Sequence, residues 1–115
     1  MIDAFSSDAV PTHLLTKEAI ADYDRAIKIK PDFALAYNNR GSVFMNTGNN
    51  AKAMADFNRA LELDPNFATA YANRALVYYR VNQYDEAIAD YSMEITLRPS
   101  VLAYISRGNV YRDND

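Results

Sequence analysis

The chain has 115 residues, a formal net charge of -3 at pH 7 and no cysteine. This length corresponds to one domain, the acidic balance disfavours nucleic acid as the main partner, and the lack of thiols excludes disulfides and thiolate metal sites. Because we see neither a secretory signal at residues 1–15 nor an apolar run of the roughly 20 residues that span a bilayer, we expect a cytoplasmic protein with no membrane partner.

The first predicted helix occupies residues 12–31. Residues 1–11 match no other part of the chain and are expected to form an irregular lead-in. Apolar side chains then recur at intervals of three and four, which places them on one helical face: Ala19, Ile20, Tyr23, Ala26, Ile27 and Ile29. We interpret this segment as the second helix of an incomplete unit, because Pro11 falls where a first helix would lie.

Two predicted helix pairs follow, at residues 34–65 and 68–99. The first pair is divided by a turn at Thr47-Gly48-Asn49 and the second by Asn82-Gln83, where glycine or asparagine can adopt the left-handed conformation that ends a helix. In each pair a small residue of the first helix, Gly41 or Ala75, is expected to face an alanine of the second helix, Ala53 or Ala87. Small residues at such a contact let helix axes approach closely.

The last predicted helix lies within residues 102–115 and follows a shortened connection. Tyr104 comes five residues after Pro99, whereas Tyr37 and Tyr71 come six residues after their prolines. We interpret this helix as the first half of another incomplete unit, whose second helix is missing.

The whole chain follows one repeating pattern. The prolines at positions 31, 65 and 99 are 34 residues apart, a spacing typical of stacked helix pairs. The segments that end at these prolines share two alanines, an aspartate and an aromatic residue at the same distances from the proline. The segments that begin at Tyr37, Tyr71 and Tyr104 share a tyrosine, an arginine, a small residue and a second aromatic residue.

These segments resemble the tetratricopeptide repeat family, in which a 34-residue helix-turn-helix carries aromatic residues, small residues and a proline at fixed positions. The two complete copies carry the pattern at Tyr37, Gly41, Phe44, Ala53, Phe57, Ala60 and Pro65, and at Tyr71, Ala75, Tyr78, Ala87, Tyr91 and Pro99. The resemblance covers about residues 16–111. It implies an all-α, right-handed α-solenoid of about six helices, arranged as a half repeat, two full repeats and a half repeat.

The resemblance also implies a function. In that family the first helices line a concave groove that holds a peptide or helix of a partner protein, so we expect a protein-binding module without enzymatic activity. Transferred by position, the groove would present a mixture of amides, apolar side chains and arginines: Leu35, Asn38, Asn39, Ser42, Met45, Asn46, Ala72, Asn73, Leu76, Tyr79, Arg80, Ile105, Asn109 and Arg112. Asparagines can hold a peptide backbone, and Met45, Leu76 and Tyr79 would add apolar contacts.

The charge of this surface predicts the character of its ligand. Arg80 and Arg112 have no evident acidic partner in the repeat pattern, which favours a peptide of modest acidic or carboxyl-terminal character. One subtype of the family clamps the carboxyl terminus of chaperones with lysine, asparagine and arginine. Of the positions that subtype uses, only Asn73 carries the matching residue, and the others carry Asn38, Ser42, Leu102 and Ser106.

The other recurring residues are expected to have structural roles. One arginine and one aspartate per unit predict a ladder of ion pairs along the stack, made of Arg40, Arg74 and Arg107 with Asp22, Asp56 and Asp90. The recurring aromatic residues are expected in the core, and His13 on the surface or at a cap. We predict no metal site, no cofactor and no catalytic dyad.

Glu94 departs from the pattern, since alanines occupy its position in the other copies, at 26 and 60. A buried unpaired carboxylate is unfavourable, so we expect the shortened connection to open this position to water, or an arginine such as Arg107 to pair with it.

Two alternatives to groove binding remain. The terminal half repeats are complementary, so that the tail of one molecule could complete the head of another and produce a head-to-tail homo-oligomer. Alternatively, the chain is a piece of a longer array.

Overall fold

The computed structural model describes residues 12–114, with side chains from residue 14 onward. Within this range the chain forms six α-helices and no strand: α1 (Thr12–Ile29), α2 (Ala34–Asn46), α3 (Asn50–Leu63), α4 (Ala68–Arg80), α5 (Tyr84–Leu97) and α6 (Val101–Asn114). The predicted all-α class is confirmed. The predicted lead-in at residues 1–11 and the side chain of His13 lie outside the described residues.

The turns inside the two helix pairs use the same backbone conformation. Gly48 has a φ of 83° and Asn82, at the matching position of the next repeat, has a φ of 64°. These are the left-handed residues that the sequence predicted at these turns. The side chain of Asn49 then accepts a hydrogen bond from the amide of Lys52 (3.2 Å) and caps α3.

The core is continuous from one repeat to the next. One buried cluster joins Met45, Ala53 and Phe57 of the first pair to Val77 of α4. A second cluster joins Ala75, Ala87 and Tyr91 of the second pair to Val110 of α6. Each pair therefore buries its apolar face partly against the next helix, as expected for repeats that cannot bury it alone.

Gly41 of α2 lies in close contact with α3. A Cβ atom at this position would lie 2.8 Å from Cε1 of Phe57 and 3.0 Å from Cβ of Asp56. The sequence predicted Ala53 as the facing residue, and the structure instead places the tightest contact against Phe57, one turn further along α3. In the second pair Ala75 and Ala87 do share one buried cluster.

The arginine ladder is present at two of its three predicted positions. Arg40 donates to both carboxylate oxygens of Asp56 (2.7 and 2.9 Å) and also to Asp24 (2.8 Å). Arg74 repeats the arrangement with Asp90 (2.7 and 2.8 Å) and Asn58 (3.0 Å). These contacts attach each first helix to the second helix of its own repeat and to that of the preceding repeat.

The predicted role of Asp22 is wrong. Asp22 pairs with Arg25 on the exposed side of α1, and Asp24 is the α1 carboxylate that reaches the ladder. Arg107 has no aspartate partner among the described residues and donates instead to the hydroxyl of Ser92 (3.1 Å).

The connections between repeats explain the spacing of proline and tyrosine. The hydroxyl of Tyr37 donates to the carbonyl of Pro31 (3.0 Å), and that of Tyr71 to the carbonyl of Pro65 (2.9 Å). After Pro99 the connection is one residue shorter. There the hydroxyl of Ser100 accepts from the amide of Ala103 (3.1 Å) and caps α6.

Candidate functional site

The first helices of the repeats lie side by side and form one continuous face, here called the inner face (α2, α4 and α6). The side-chain amide of Asn73 donates to that of Asn38 (3.1 Å), and the guanidinium of Arg80 donates to the carbonyl of Met45 (3.3 Å). These contacts join α2 to α4 near both ends. The hydroxyl of Tyr79 donates to Asp113 and joins α4 to α6.

Most residues predicted for the groove lie on this face with surface available to a ligand. They are half-buried or exposed: Leu35, Asn39, Ser42, Asn46, Ala72, Asn73, Leu76, Tyr79, Arg80, Ile105, Asn109 and Arg112. Ile105 is 53% exposed and can contact a ligand. The face therefore offers amides and apolar side chains in alternation.

Two of the predicted groove residues are buried. Met45 is 5% exposed and packs with Phe57 and Val77, so it belongs to the core and cannot serve as an apolar contact for a ligand. Asn38 is 4% exposed, and its amide is engaged by Asn73. Both lie on the side of α2 that the neighbouring helices cover.

The two arginines that the sequence left unpaired differ in the structure. Arg112 donates to Asp113 (3.0 Å), so its charge is compensated locally. Hydrogen bonds from Arg112, and to a smaller extent from Tyr79, hold the pKa of Asp113 below its usual value. The hydrogen bond between Tyr79 and Asp113 also raises the pKa of Tyr79. Arg80 is exposed and contacts only a neutral carbonyl among the described residues. Of these two arginines, only Arg80 thus keeps an uncompensated charge among the described residues.

Glu94 lines a cavity that opens on the inner face between α4 and α6. The cavity has a volume of about 190 Å³. Its walls come from three helices: Ala72, Asn73 and Leu76 of α4, Tyr91 and Glu94 of α5, and Leu102, Ala103 and Ser106 of α6. The glutamate residue is 8% exposed and takes part in no side-chain hydrogen bond or ion pair of the described residues, and its carboxylate oxygens stay accessible.

Of the two environments that the sequence predicted for Glu94, an opening to water and an ion pair with an arginine such as Arg107, the ion pair with Arg107 is absent. Arg107 is not its partner, because the Arg107 guanidinium donates to Ser92. Burial raises the pKa of Glu94, and the positive charge of Arg98, just after the end of α5, opposes this effect only in part. The side chain is therefore mostly covered by its neighbours, while its carboxylate oxygens still reach the open cavity.

Other parts of the described chain are weaker candidates for a ligand site. A cavity of about 510 Å³ between α1, α2 and α3 is lined by Asp24, Arg40, Lys52 and Asp56, and Arg40 already pairs with both carboxylates. No group of three His, Asp or Glu side chains in the described range converges to hold a metal ion. None of the six described helices is long and apolar enough to cross a membrane.

Comparison with known proteins identifies related sequences and folds. A family model described as TPR repeat matches residues 16–48 and 41–82, and one described as Tetratricopeptide repeat matches residues 68–99. None of the curated proteins matches the chain.

Three solved structures illustrate the likeness of fold. The first TPR of Spaghetti (RPAP3), bound to the HSP90 peptide SRMEEVD, has a TM-score of 0.84 at 23% identity, over 89% of this chain and 82% of that one. The Arabidopsis OM64 TPR domain gives 0.83 at 24% identity, over 88% and 84%. MamA gives 0.81 at 29% identity, over 87% of this chain and 55% of that one. The predicted right-handed α-solenoid is confirmed by these similarities.

Proposed function

The chain belongs to the tetratricopeptide repeat family, and from this premise we propose that it is a non-enzymatic module that holds a peptide or helix of a partner protein on its inner face. The observation that carries the proposal is the composition of that face. Ser42, Asn39, Asn73 and Asn109 retain accessible polar groups, and they lie beside exposed or half-buried apolar side chains such as Ile105.

Amide and apolar groups in this arrangement suit a peptide. Each asparagine amide offers a donor and an acceptor, which can pair with one peptide unit of an extended backbone. Leu76 and Ile105 would contact ligand side chains. The first TPR of Spaghetti has a similar fold and holds a peptide, which supports peptide binding as the general mode of this fold.

We further propose that Arg80 binds an acidic or carboxyl-terminal group of the ligand. Its guanidinium is exposed, and only some of its donors are used by the carbonyl of Met45. Arg112 is excluded from this role because Asp113 already compensates its charge. Equal affinity for an acidic peptide and for its charge-reversed version would contradict this part of the proposal.

The test of groove binding is a display selection of random 12-residue peptides on the 115-residue chain, followed by titration of the recovered peptides. We expect Ile105→Asp to weaken binding by about tenfold or more, because it introduces a charge among apolar contacts. Met93→Asp on α5 is the matched control, because Met93 is also exposed but lies outside the inner face. Equal affinities of the two variants would contradict the proposal.

A second candidate function is head-to-tail self-assembly through α6 and α1. Tyr104 and Tyr111 of α6 are 52% and 53% exposed, whereas Tyr71 and Tyr78 at the matching positions are half-buried. Arg107 packs on both exposed rings and has no carboxylate partner among the described residues. Asp22 of a second copy, which occupies the position of Asp56 and Asp90, would complete the ladder.

This candidate is tested by charge exchange in sedimentation experiments. Arg107→Asp and Asp22→Arg should each abolish association at low salt, and an equimolar mixture of the two variants should restore it, since each junction then regains opposite charges. A wild-type chain that stays monomeric at high concentration would rule out self-assembly. Association that neither variant changes would contradict the proposed junction between α6 and α1.

A further inference from the structure

We propose that the cavity beside Glu94 is a subsite for the cationic end of a lysine or arginine side chain of the bound peptide, with the Glu94 carboxylate as its anionic partner. The inference rests on the proposed function, since it identifies one chemical group of the ligand that the inner face would hold.

The first argument is the uncompensated charge. The Glu94 residue is more than nine-tenths buried, and its carboxylate, whose oxygens reach the cavity, pairs with no described side chain. No lysine or arginine lines the cavity. Holding a carboxylate in a largely covered site without a cationic partner is unfavourable, so a ligand that carries a cation into the cavity supplies an interaction that the free protein lacks.

The second argument is the shape and lining of the cavity. At about 190 Å³ it is smaller than the roughly 300–1,000 Å³ of typical small-molecule pockets, and it suits one side chain of a larger ligand. Ala72, Leu76 and Ala103 provide apolar walls for the methylene groups of a lysine or arginine. Such side chains bury their stems along apolar surface while the charged end seeks a polar partner.

The third argument is that the cavity and the carboxylate occur together at one joint of the array, that is, at one contact between the second helix of a repeat and the first helix that follows it. At the preceding joint the matching position is Ala60, which is fully buried, and Phe67 packs against that cluster. The connection after Pro99 is one residue shorter and contains no phenylalanine. The joint therefore lacks the apolar side chain that fills its counterpart, and it has a carboxylate in place of a methyl group.

The position of the subsite also limits the charge pattern of the ligand. Ala72 lies two helical turns before Arg80 on α4, a rise of about 12 Å. If Arg80 binds an acidic or terminal carboxylate, the same peptide would carry its basic residue about this far away.

The experiment compares peptides recovered by random 12-residue display on the wild-type chain and on Glu94→Ala, which introduces the residue found at positions 26 and 60. We expect lysine and arginine to be enriched at one peptide position for the wild type only. A recovered peptide should lose about tenfold to a hundredfold in affinity on Glu94→Ala, as for a charge-assisted hydrogen bond. Replacing its basic residue by methionine should cause a similar loss in the wild type and little loss in the variant.

A small probe separates failure of the subsite from failure of groove binding. In the wild-type chain, Nα-acetyl-lysine N-methylamide should lower the pH at which the Glu94 carboxyl carbon titrates by NMR, and the norleucine analogue should not. Tyr91 of α5 and Arg98, just after the end of α5, are the ionisable groups that act on Glu94, and the cavity residues of α4 and α6 contribute none.

The outcomes then divide clearly. Recovered peptides without basic enrichment, or with equal affinity for both proteins, would overturn the subsite while groove binding stands. A selection that yields no peptide, together with a lysine-specific NMR shift, would overturn groove binding and keep the subsite. Equal effects of the lysine and norleucine probes would overturn the subsite whatever the selection gives.

Discussion

Gly41 and Gly108 occupy matching positions on α2 and α6 but have different surroundings. A Cβ atom at Gly41 would lie 2.8 Å from the Phe57 ring, whereas one at Gly108 would have no neighbour within 4 Å. Alanine favours a helix interior over glycine by about 1 kcal/mol, and overpacking a core costs roughly 1–3 kcal/mol. We expect Gly108→Ala to raise the free energy of unfolding by up to about 1 kcal/mol, and Gly41→Ala to lower it by up to about 2 kcal/mol.

Urea unfolding of both variants beside the wild type measures the difference. Equal stabilisation by the two substitutions would show that the α2–α3 contact can relax around a methyl group.

Glu94 is expected to make stability depend on pH. Its pKa is raised in the folded chain from an ordinary value near 4.5, so the folded state holds the proton more tightly than the unfolded state. Stability is therefore lost as the pH rises through the raised pKa. We expect Glu94→Gln to be more stable than the wild type at pH 7, with an advantage that shrinks as the pH falls toward 4.5.

Chemical unfolding at several pH values tests this expectation. Glu62→Gln, on the exposed surface of α3, controls for the loss of one negative charge. An advantage of Glu94→Gln that grows as the pH falls would contradict the assigned burial effect.

The connections between helices depend on single side-chain hydrogen bonds. The hydroxyl of Tyr71 donates to the carbonyl of Pro65, six residues earlier, and Tyr104 after the shortened connection makes no such bond among the described residues. A net hydrogen bond contributes about 0.5–1.5 kcal/mol. We expect Tyr71→Phe to lower the free energy of unfolding by about 1 kcal/mol and Tyr104→Phe to change it by less than about 0.5 kcal/mol. A thermal or urea unfolding series compares them, and equal losses would contradict the role of the spacing.

The helices could be predicted closely because their signals are local and repeated. The 34-residue proline interval, together with turns at Gly48 and Asn82, gave helix ends within about two residues of those observed. The ladder was harder to predict in full. Asp24, Asn58 and Ser92 perform the same role as second partners of the arginines, but they are three different residue types, so a comparison of residue identities between repeats does not detect them.

The inner face of the whole molecule could be predicted only in part. The spacing of residues along α2 predicts which side of the helix carries Met45 and Asn38. How much of them α4 covers depends on how the two helices cross, and the sequence of a single repeat does not determine that crossing. Glu94 was recognisable as an exception to the alanine pattern. Its cavity was not, because the cavity depends on where a connection shortened by one residue places α6.

Stability along the array is expected to be uneven, since the buried clusters lie mainly between α2 and α5, while α1 and α6 each pack along one side of the described array. In a stack whose repeats contact only their neighbours, opening begins where a helix has one neighbour. Amide hydrogen exchange of the dilute chain should therefore be fastest in α1 and α6 and slowest in α3 and α4. If copies join head to tail, raising the protein concentration should slow exchange in α1 and α6 together, because their open faces cover each other. Uniform protection from α1 to α6 in the dilute chain would contradict the neighbour-by-neighbour account of its stability.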